Sequence, residues 1–250
     1  MRRSILWEGR RLLIRAKGSL GWALCLVVAA ELLSSGFPVD SQAEWYVAGQ
    51  AGYAMIRDPR NTPVTGEQAV TGIPNGTISS RLDFDNSLMF GAKVGYYFET
   101  LPWLGVETEV FTSSPNLKQQ VVTDRAPGVG TFQYNQPGAH IQATTVAANL
   151  VARYQMGAFE PYVGVGPGIF FIRSSHPSYG TGMPGYVDAD VRPGLNTQLG
   201  LRYRMTEHVA LFGEWKVNYT RFHLEPRGPY GGVNANYLVN IFAFGVGYHF

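Results

Sequence analysis

IFAFGVGYHF, residues 241–250, sets Phe242, Phe244, Val246, Tyr248 and Phe250 two apart, with Ala243, Gly245, Gly247 and His249 between them. Strict period-two alternation is the mark of a β-strand with one apolar face. A soluble domain rarely leaves a large aromatic exposed at such a position, because chain termini are usually frayed and polar. The reading of this apolar face decides the fold, and the same pattern recurs along the chain.

Seven further segments alternate in this way: Trp45–Met55, Leu88–Phe98, Leu104–Ser114, Ile141–Tyr154, Pro161–Arg173, Leu195–Met205 and Val209–Phe222, with Tyr237–Phe250 as the eighth. Three connections are short, namely 99–103, 155–160 and 206–208; four are long, namely 56–87, 115–140, 174–194 and 223–236. Long and short alternate strictly. In an antiparallel meander alternate connections lie at opposite ends, so one end carries only tight turns and the other every long loop. That is the layout of an outer-membrane barrel. Ten strands are the alternative, should GEQAVTG and KQQVVTD extend into a pair.

Parity says which face carries charge. Lys93 shares its face with Gly91 and Gly95; Glu107 and Glu109 with Gly105; Arg153 with Asn149 and Thr145; Arg202 and Arg204 with Asn196, Gln198 and Gly200; Glu214 and Lys216 with Asn218. The opposite faces are almost purely apolar. Both signs of charge occur together with glycine, as suits a confined lumen that has just enough room for side chains. A lipid-facing surface must instead be free of charge, at a cost of about 2–4 kcal/mol for a cation at mid-bilayer. These eight residues, Lys93, Glu107, Glu109, Arg153, Arg202, Arg204, Glu214 and Lys216, are therefore expected to form a lumenal network of salt bridges. Aromatics fall near both ends of the strands: Trp45, Tyr46, Trp103, Tyr154, Tyr162, Tyr203 and Tyr248 by the short turns, and Tyr53, Phe90, Phe170, Phe171, Tyr219 and Tyr237 by the loops. They are expected to mark the two membrane interfaces.

Composition agrees. Of 250 residues, 15% are charged, 13% aromatic and 30 are glycine; a soluble domain has about 25% charged residues. The first 43 residues stand apart. Arg2, Arg3, Arg10, Arg11, Arg15 and Lys17 precede an apolar stretch from Leu20 to Leu33, and Ser41-Gln42-Ala43 offers small residues at a cleavage site. This predicts a signal peptide over 1–43, cut before Glu44, with a cut nearer Gly36 or an N-terminal membrane anchor as alternatives. Residues 44–250 hold 14 Lys/Arg against 15 Asp/Glu, so the net positive charge of the whole chain belongs to this segment and implies no nucleic-acid partner. Cys25 is the lone cysteine, so the mature chain has no disulfide and no thiolate chemistry.

EWYVAGQAGYA at 44–54, GAKVGYYF at 91–98 and FGVGYHF at 244–250 resemble the first, second and closing strands of the OmpA-like outer-membrane β-barrel family. The resemblance covers 44–250. It implies an all-β, eight-stranded antiparallel up-and-down transmembrane barrel in the bacterial outer membrane, surrounded by lipid and lipopolysaccharide. It also implies insertion by the barrel-assembly machinery, for which Phe244, Val246, Tyr248 and Phe250 would form the assembly signal. The larger relatives carry a peptidoglycan-binding domain, and that tethering role is not implied.

A structural or surface-interaction role follows, with the loops as the surface for an extracellular ligand. A narrow, low-conductance porin is the alternative. A lipid-modifying barrel enzyme would need a nucleophile beside a histidine. His140 and His223, with Ser87, Ser113 and Ser114, offer no such motif, so no enzyme is expected. A soluble lipocalin-like barrel would need the opposite assignment of faces. Asp83 and Asp85 in LDFDN lack the other ligands of a calcium loop, and His176, Asp188 and Asp190 lack metal spacing. No metal or cofactor is expected.

Overall fold

The computed structural model describes residues 44–59, 62–65, 77–126, 130–176, 185–224 and 232–250. The expected signal peptide and the GEQAVTG segment lie outside them. Thirteen strands follow in chain order: β1 (Glu44–Ile56), β2 (Thr62–Thr65), β3 (Thr77–Ile78), β4 (Ser87–Tyr97), β5 (Leu104–Ser113), β6 (Asn116–Leu117), β7 (Gln120–Ala126), β8 (Gly130–Gln136), β9 (Ala139–Arg153), β10 (Phe159–His176), β11 (Tyr186–Arg204), β12 (Val209–Leu224) and β13 (Gly232–His249).

Eight of them close a barrel. β1 pairs β4, and β5, β9, β10, β11, β12 and β13 follow in order, each antiparallel to the last. β13 returns to β1 along eleven residue pairs, from Tyr46↔His249 to Ile56↔Val239. Closure leaves no unpaired edge, which lipid would not tolerate. The tight turns lie where the sequence placed them, and Gly157 adopts φ +63° in the turn before β10, a left-handed conformation suited to glycine.

The faces are inverted relative to a soluble barrel. Phe90, Leu150, Val163, Leu199, Trp215 and Phe244 point outward and are exposed, whereas Lys93, Glu107, Glu109, Arg153, Arg202, Glu214 and Lys216 are buried inside. An apolar exterior on a closed antiparallel barrel is a membrane wall.

Three expectations change. KQQVVTD does become a strand, β7, but it pairs β8 and β3 in a small external sheet and adds nothing to the barrel. Of the segments 174–194 and 223–236, the described residues are strand except Gly185. β11 has 19 residues, against about 9–11 needed to cross a bilayer, so the wall rises well above the membrane. Loop composition misleads here because antiparallel pairing of β10 with β11 continues through His176↔Tyr186 and carries Pro193 with it. Third, four aromatics assigned to the interfaces turn inward: Tyr46, Tyr162, Phe170 and Tyr237 are each at most 7% exposed. They share parity with the charged residues, and parity fixes the face.

The external sheet is joined to the barrel where β2 pairs the top of β13, at Gly232↔Thr65 and Val233↔Val64. Leu82 and Val122, with Phe84 and Leu117 against them, form a small apolar cluster beside β6 and β7.

Candidate functional site

The lumen is filled in three tiers. Nearest the short turns, Arg153, Arg202 and Arg204 meet Glu44 and Glu160. Arg153 lies 2.6 Å from Glu44, Arg202 3.3 Å from Glu160, and Arg204 Nε 2.5 Å from Glu160 while also pairing Glu44. His249 Nδ1 is 2.5 Å from Glu44, which ties the first strand of the barrel to the last.

The middle tier holds Glu107, Glu109 and Glu214 around Lys93 and Lys216. Lys93 pairs Glu214 and lies 3.3 Å from Glu107. Lys216 pairs Glu109 and lies 3.1 Å from Glu214. Amides and phenols also donate to these carboxylates. Tyr46 donates to Glu107 and Tyr162 to Glu214, both at 2.5 Å. Gln198 donates to Glu107 at 2.8 Å and Asn196 to Glu109 at 2.6 Å. Buried charges persist only when paired and hydrogen-bonded. The two tiers together hold five cations and five carboxylates in these contacts, so the charges of the tiers balance. Between the tiers the Arg202 guanidinium sits 4.7 Å from the Tyr46 ring centroid and 5.2 Å from that of Tyr162.

Glycine makes room for these rings. Register sets Gly95 beside Tyr46 and Gly200 beside Tyr162. A Cβ at either glycine would fall 2.3 Å from the neighbouring ring. The space left by glycine is thus taken by a cross-strand aromatic, and the long charged side chains thread between the rings.

Above the middle tier the lumen holds an apolar cluster, with Ser113, Thr145, Asn218 and Thr220 buried beside it. Met89, Phe111, Phe170, Ile172, Val239 and Ile241 are all buried in one cluster. The Lys216 ammonium lies 5.5 Å from the Phe111 ring at the junction. Below it, the crevice among Tyr46, Lys93, Tyr162, Arg202, Phe212 and His249 has no space for a water molecule.

All eight residues singled out in the sequence thus meet in the two ionic tiers. Sequence reasoning missed Glu44 and Glu160, which lie at strand starts rather than mid-strand, although both share the lumenal parity of their strands. It also missed the apolar tier. Phe244, Val246, Tyr248 and Phe250 all face outward and are exposed.

The remaining candidates do not assemble. Ser113 faces the lumen, whereas His140 is exposed and contacts Asn116 at 2.6 Å. The side chain of His223 lies outside the described residues. Asp83 pairs Arg81 at 2.9 Å and Asp85 pairs Lys118 at 3.3 Å, so cations of the chain already engage both carboxylates. His176 Nε2 is 2.9 Å from Ser174 Oγ above the bilayer, where burial pulls its pKa below the usual imidazole value and Asp188 opposes that shift.

Known proteins place this architecture. The model of the outer membrane protein beta-barrel domain matches residues 22–250. Among solved structures, outer membrane protein OprG of Pseudomonas aeruginosa is 15% identical with a TM-score of 0.53, over 84% of this chain and 97% of that one. Neisserial surface protein A is 14% identical with a TM-score of 0.49, over 82% and 96%. The outer membrane protease OmpT of Escherichia coli is 9% identical with a TM-score of 0.44, over 86% and 99%. Identities this low speak to the fold alone. No curated protein sequence matches the chain. With a family model spanning the whole barrel, and a wall whose apolar face is outermost, the chain belongs to the outer membrane protein β-barrel domain family and resides in the bacterial outer membrane.

Proposed function

We propose that this protein is a filled, non-conducting outer-membrane barrel whose activity lies in its external structure. The observation that carries this reading is the apolar tier of Met89, Phe111, Phe170 and Ile241 above two ion-paired tiers. An ion entering the lumen would have to shed its hydration shell against apolar side chains, and beyond them lie charges already neutralised. The external sheet and the strands that rise above the bilayer supply a folded surface for a partner outside the cell, as befits loops positioned by a rigid scaffold. The role is structural and binding rather than catalytic. Outer-membrane lipid and lipopolysaccharide surround the wall, and Phe244, Val246, Tyr248 and Phe250 serve the barrel-assembly machinery during insertion.

Planar-bilayer recording of refolded 44–250 tests it. Silent membranes are expected, with folding shown by faster gel migration of the unheated sample. Reproducible current steps would replace this reading with the narrow porin. The platform is tested in cells by replacing 118–137 with a short turn. Folding in the membrane should survive while partner binding is lost.

A further inference from the structure

The lipid-facing wall carries charge in one zone only. Among the described residues, the outward positions of the eight barrel strands hold no carboxylate. Their charges are Arg173 on β10 and Arg221 on β12, and Arg57 continues the outward row of β1; all three are exposed. All lie at the external end.

Register brings two of them together. Arg57 donates its backbone N–H to the Leu238 carbonyl at 2.9 Å, Leu238 faces Tyr219, and Asn236 faces Arg221. Arg57 and Arg221 are thus two strands and two residues apart, with Cα atoms about 12 Å from each other at ordinary strand spacing and rise. Two arginine side chains easily span that gap. Arg221 Nε donates to the Tyr219 hydroxyl at 2.9 Å, and that hydroxyl donates to Asn236 Oδ1 at 3.4 Å. Nε is therefore used to hold the guanidinium against the wall, in a residue that is itself exposed. Asp58, next to Arg57, is turned to Arg81 at 3.4 Å.

Height identifies the occupant. From Phe250 to Asn240 the outward row of β13 runs ten residues, about 33 Å along the strand and about 25 Å along the membrane normal at a usual tilt of about 40°. An apolar band of about 25 Å is what an outer-membrane barrel presents. Asn240, which accepts from Trp215 Nε1 at 3.2 Å, marks the upper limit of that band. Arg57 and Arg221 lie about 5–10 Å higher, at headgroup level. The surface is continuous with the lipid-facing wall, and its charge is complementary to anions. Arginine forks suit phosphate oxygens.

We infer that Arg57 and Arg221, with Tyr219 and Asn236, form a binding site for the phosphate groups of an outer-leaflet lipid on the β12–β13–β1 face.

Native mass spectrometry of the folded protein in detergent tests this, with bisphosphorylated lipid A and its dephosphorylated form as probes. The wild type should retain the phosphorylated lipid preferentially. The double variant Arg57→Gln/Arg221→Gln should lose about tenfold or more of that preference, while Arg173→Gln, which removes a similar charge two strands beyond Arg221, should keep it. All three should show the gel shift of a folded barrel. Equal retention by wild type and double variant overturns the site. An equal loss in Arg173→Gln overturns it in favour of diffuse charge, and displacement by millimolar inorganic phosphate overturns the lipid as ligand.

Discussion

Lys216→Met removes a charge while keeping most of the side-chain volume. Lys216 is fully buried, pairs Glu109, lies 3.1 Å from Glu214 and donates to Gln198 at 3.3 Å. The middle tier contains three carboxylates and two ammoniums, and the substitution leaves three carboxylates around Lys93 alone. Breaking a buried pair by removing one partner costs about 3–5 kcal/mol, because the other charge remains buried without compensation. The companion variant Lys216→Met/Glu109→Gln restores the tier's original net charge, and the new amide oxygen can take the place of Glu109 Oε1, which accepts from Asn149 and Asn196 in the wild type. It should therefore recover about 2–4 kcal/mol of the loss. Lys118→Met is the control, since Lys118 and Asp85 are half exposed at 3.3 Å and such pairs contribute about 0–1 kcal/mol. Urea titration in lipid vesicles, followed by tryptophan fluorescence and gel mobility, measures all three. A cost below about 1 kcal/mol for Lys216→Met would refute a tightly coupled lumenal network, as would a double variant no more stable than the single one.

Further outcomes concern the wall and its glycines. Gly95→Ala and Gly200→Ala drive a methyl into the rings of Tyr46 and Tyr162, and each should cost about 1–3 kcal/mol in the same titration. Gly49→Ala should be nearly neutral, because the outward Cβ at that position meets nothing within 4 Å. Phe244→Arg places a cation near the middle of the lipid-facing row, where Phe244 is 73% exposed; a loss of about 2–4 kcal/mol is expected, seen as a lower urea midpoint at unchanged slope. Phe170→Ala empties part of the apolar tier, at about 3–5 kcal/mol.

The barrel was legible because period-two alternation and segregated loop lengths are local properties of the chain. Eight segments, the short turns and the charged parity all follow from counting in twos. Glu44 and Glu160 escaped because a residue at a strand boundary has no flanking alternation to reveal its face. The apolar tier escaped for a different reason. Met89, Phe111, Phe170 and Ile241 come from four strands, β4, β5, β10 and β13, and meet only through register around the closed barrel. A face read strand by strand as polar is ionic in its lower half and carries an apolar cluster in its upper half. Tyr46 and Tyr162 were assigned by height along the strand when parity, read with Gly95 and Gly200 opposite them, would have turned them inward. The strands above the bilayer were hidden by Pro, Gly and Asp in DVRPG, residues of loops in general. Pro193 is accommodated without its own N–H, and its carbonyl accepts from Thr220 Oγ1 at 2.8 Å.

The central claim is that the apolar face meets lipid and the charged face is packed inside a lumen closed to water. Residues 44–250 contain no cysteine, so single cysteines along β13 can carry a spin label in lipid vesicles. Collision rates with oxygen and with a water-soluble nickel chelate then report the environment residue by residue. Labels at Asn240, Phe242, Phe244 and Val246 should reach oxygen freely, with nickel contact only at the Asn240 boundary, while labels at Val239 and Ile241 should be shielded from both. Nickel contact at Val239 and Ile241, or a profile without period two, would contradict the account.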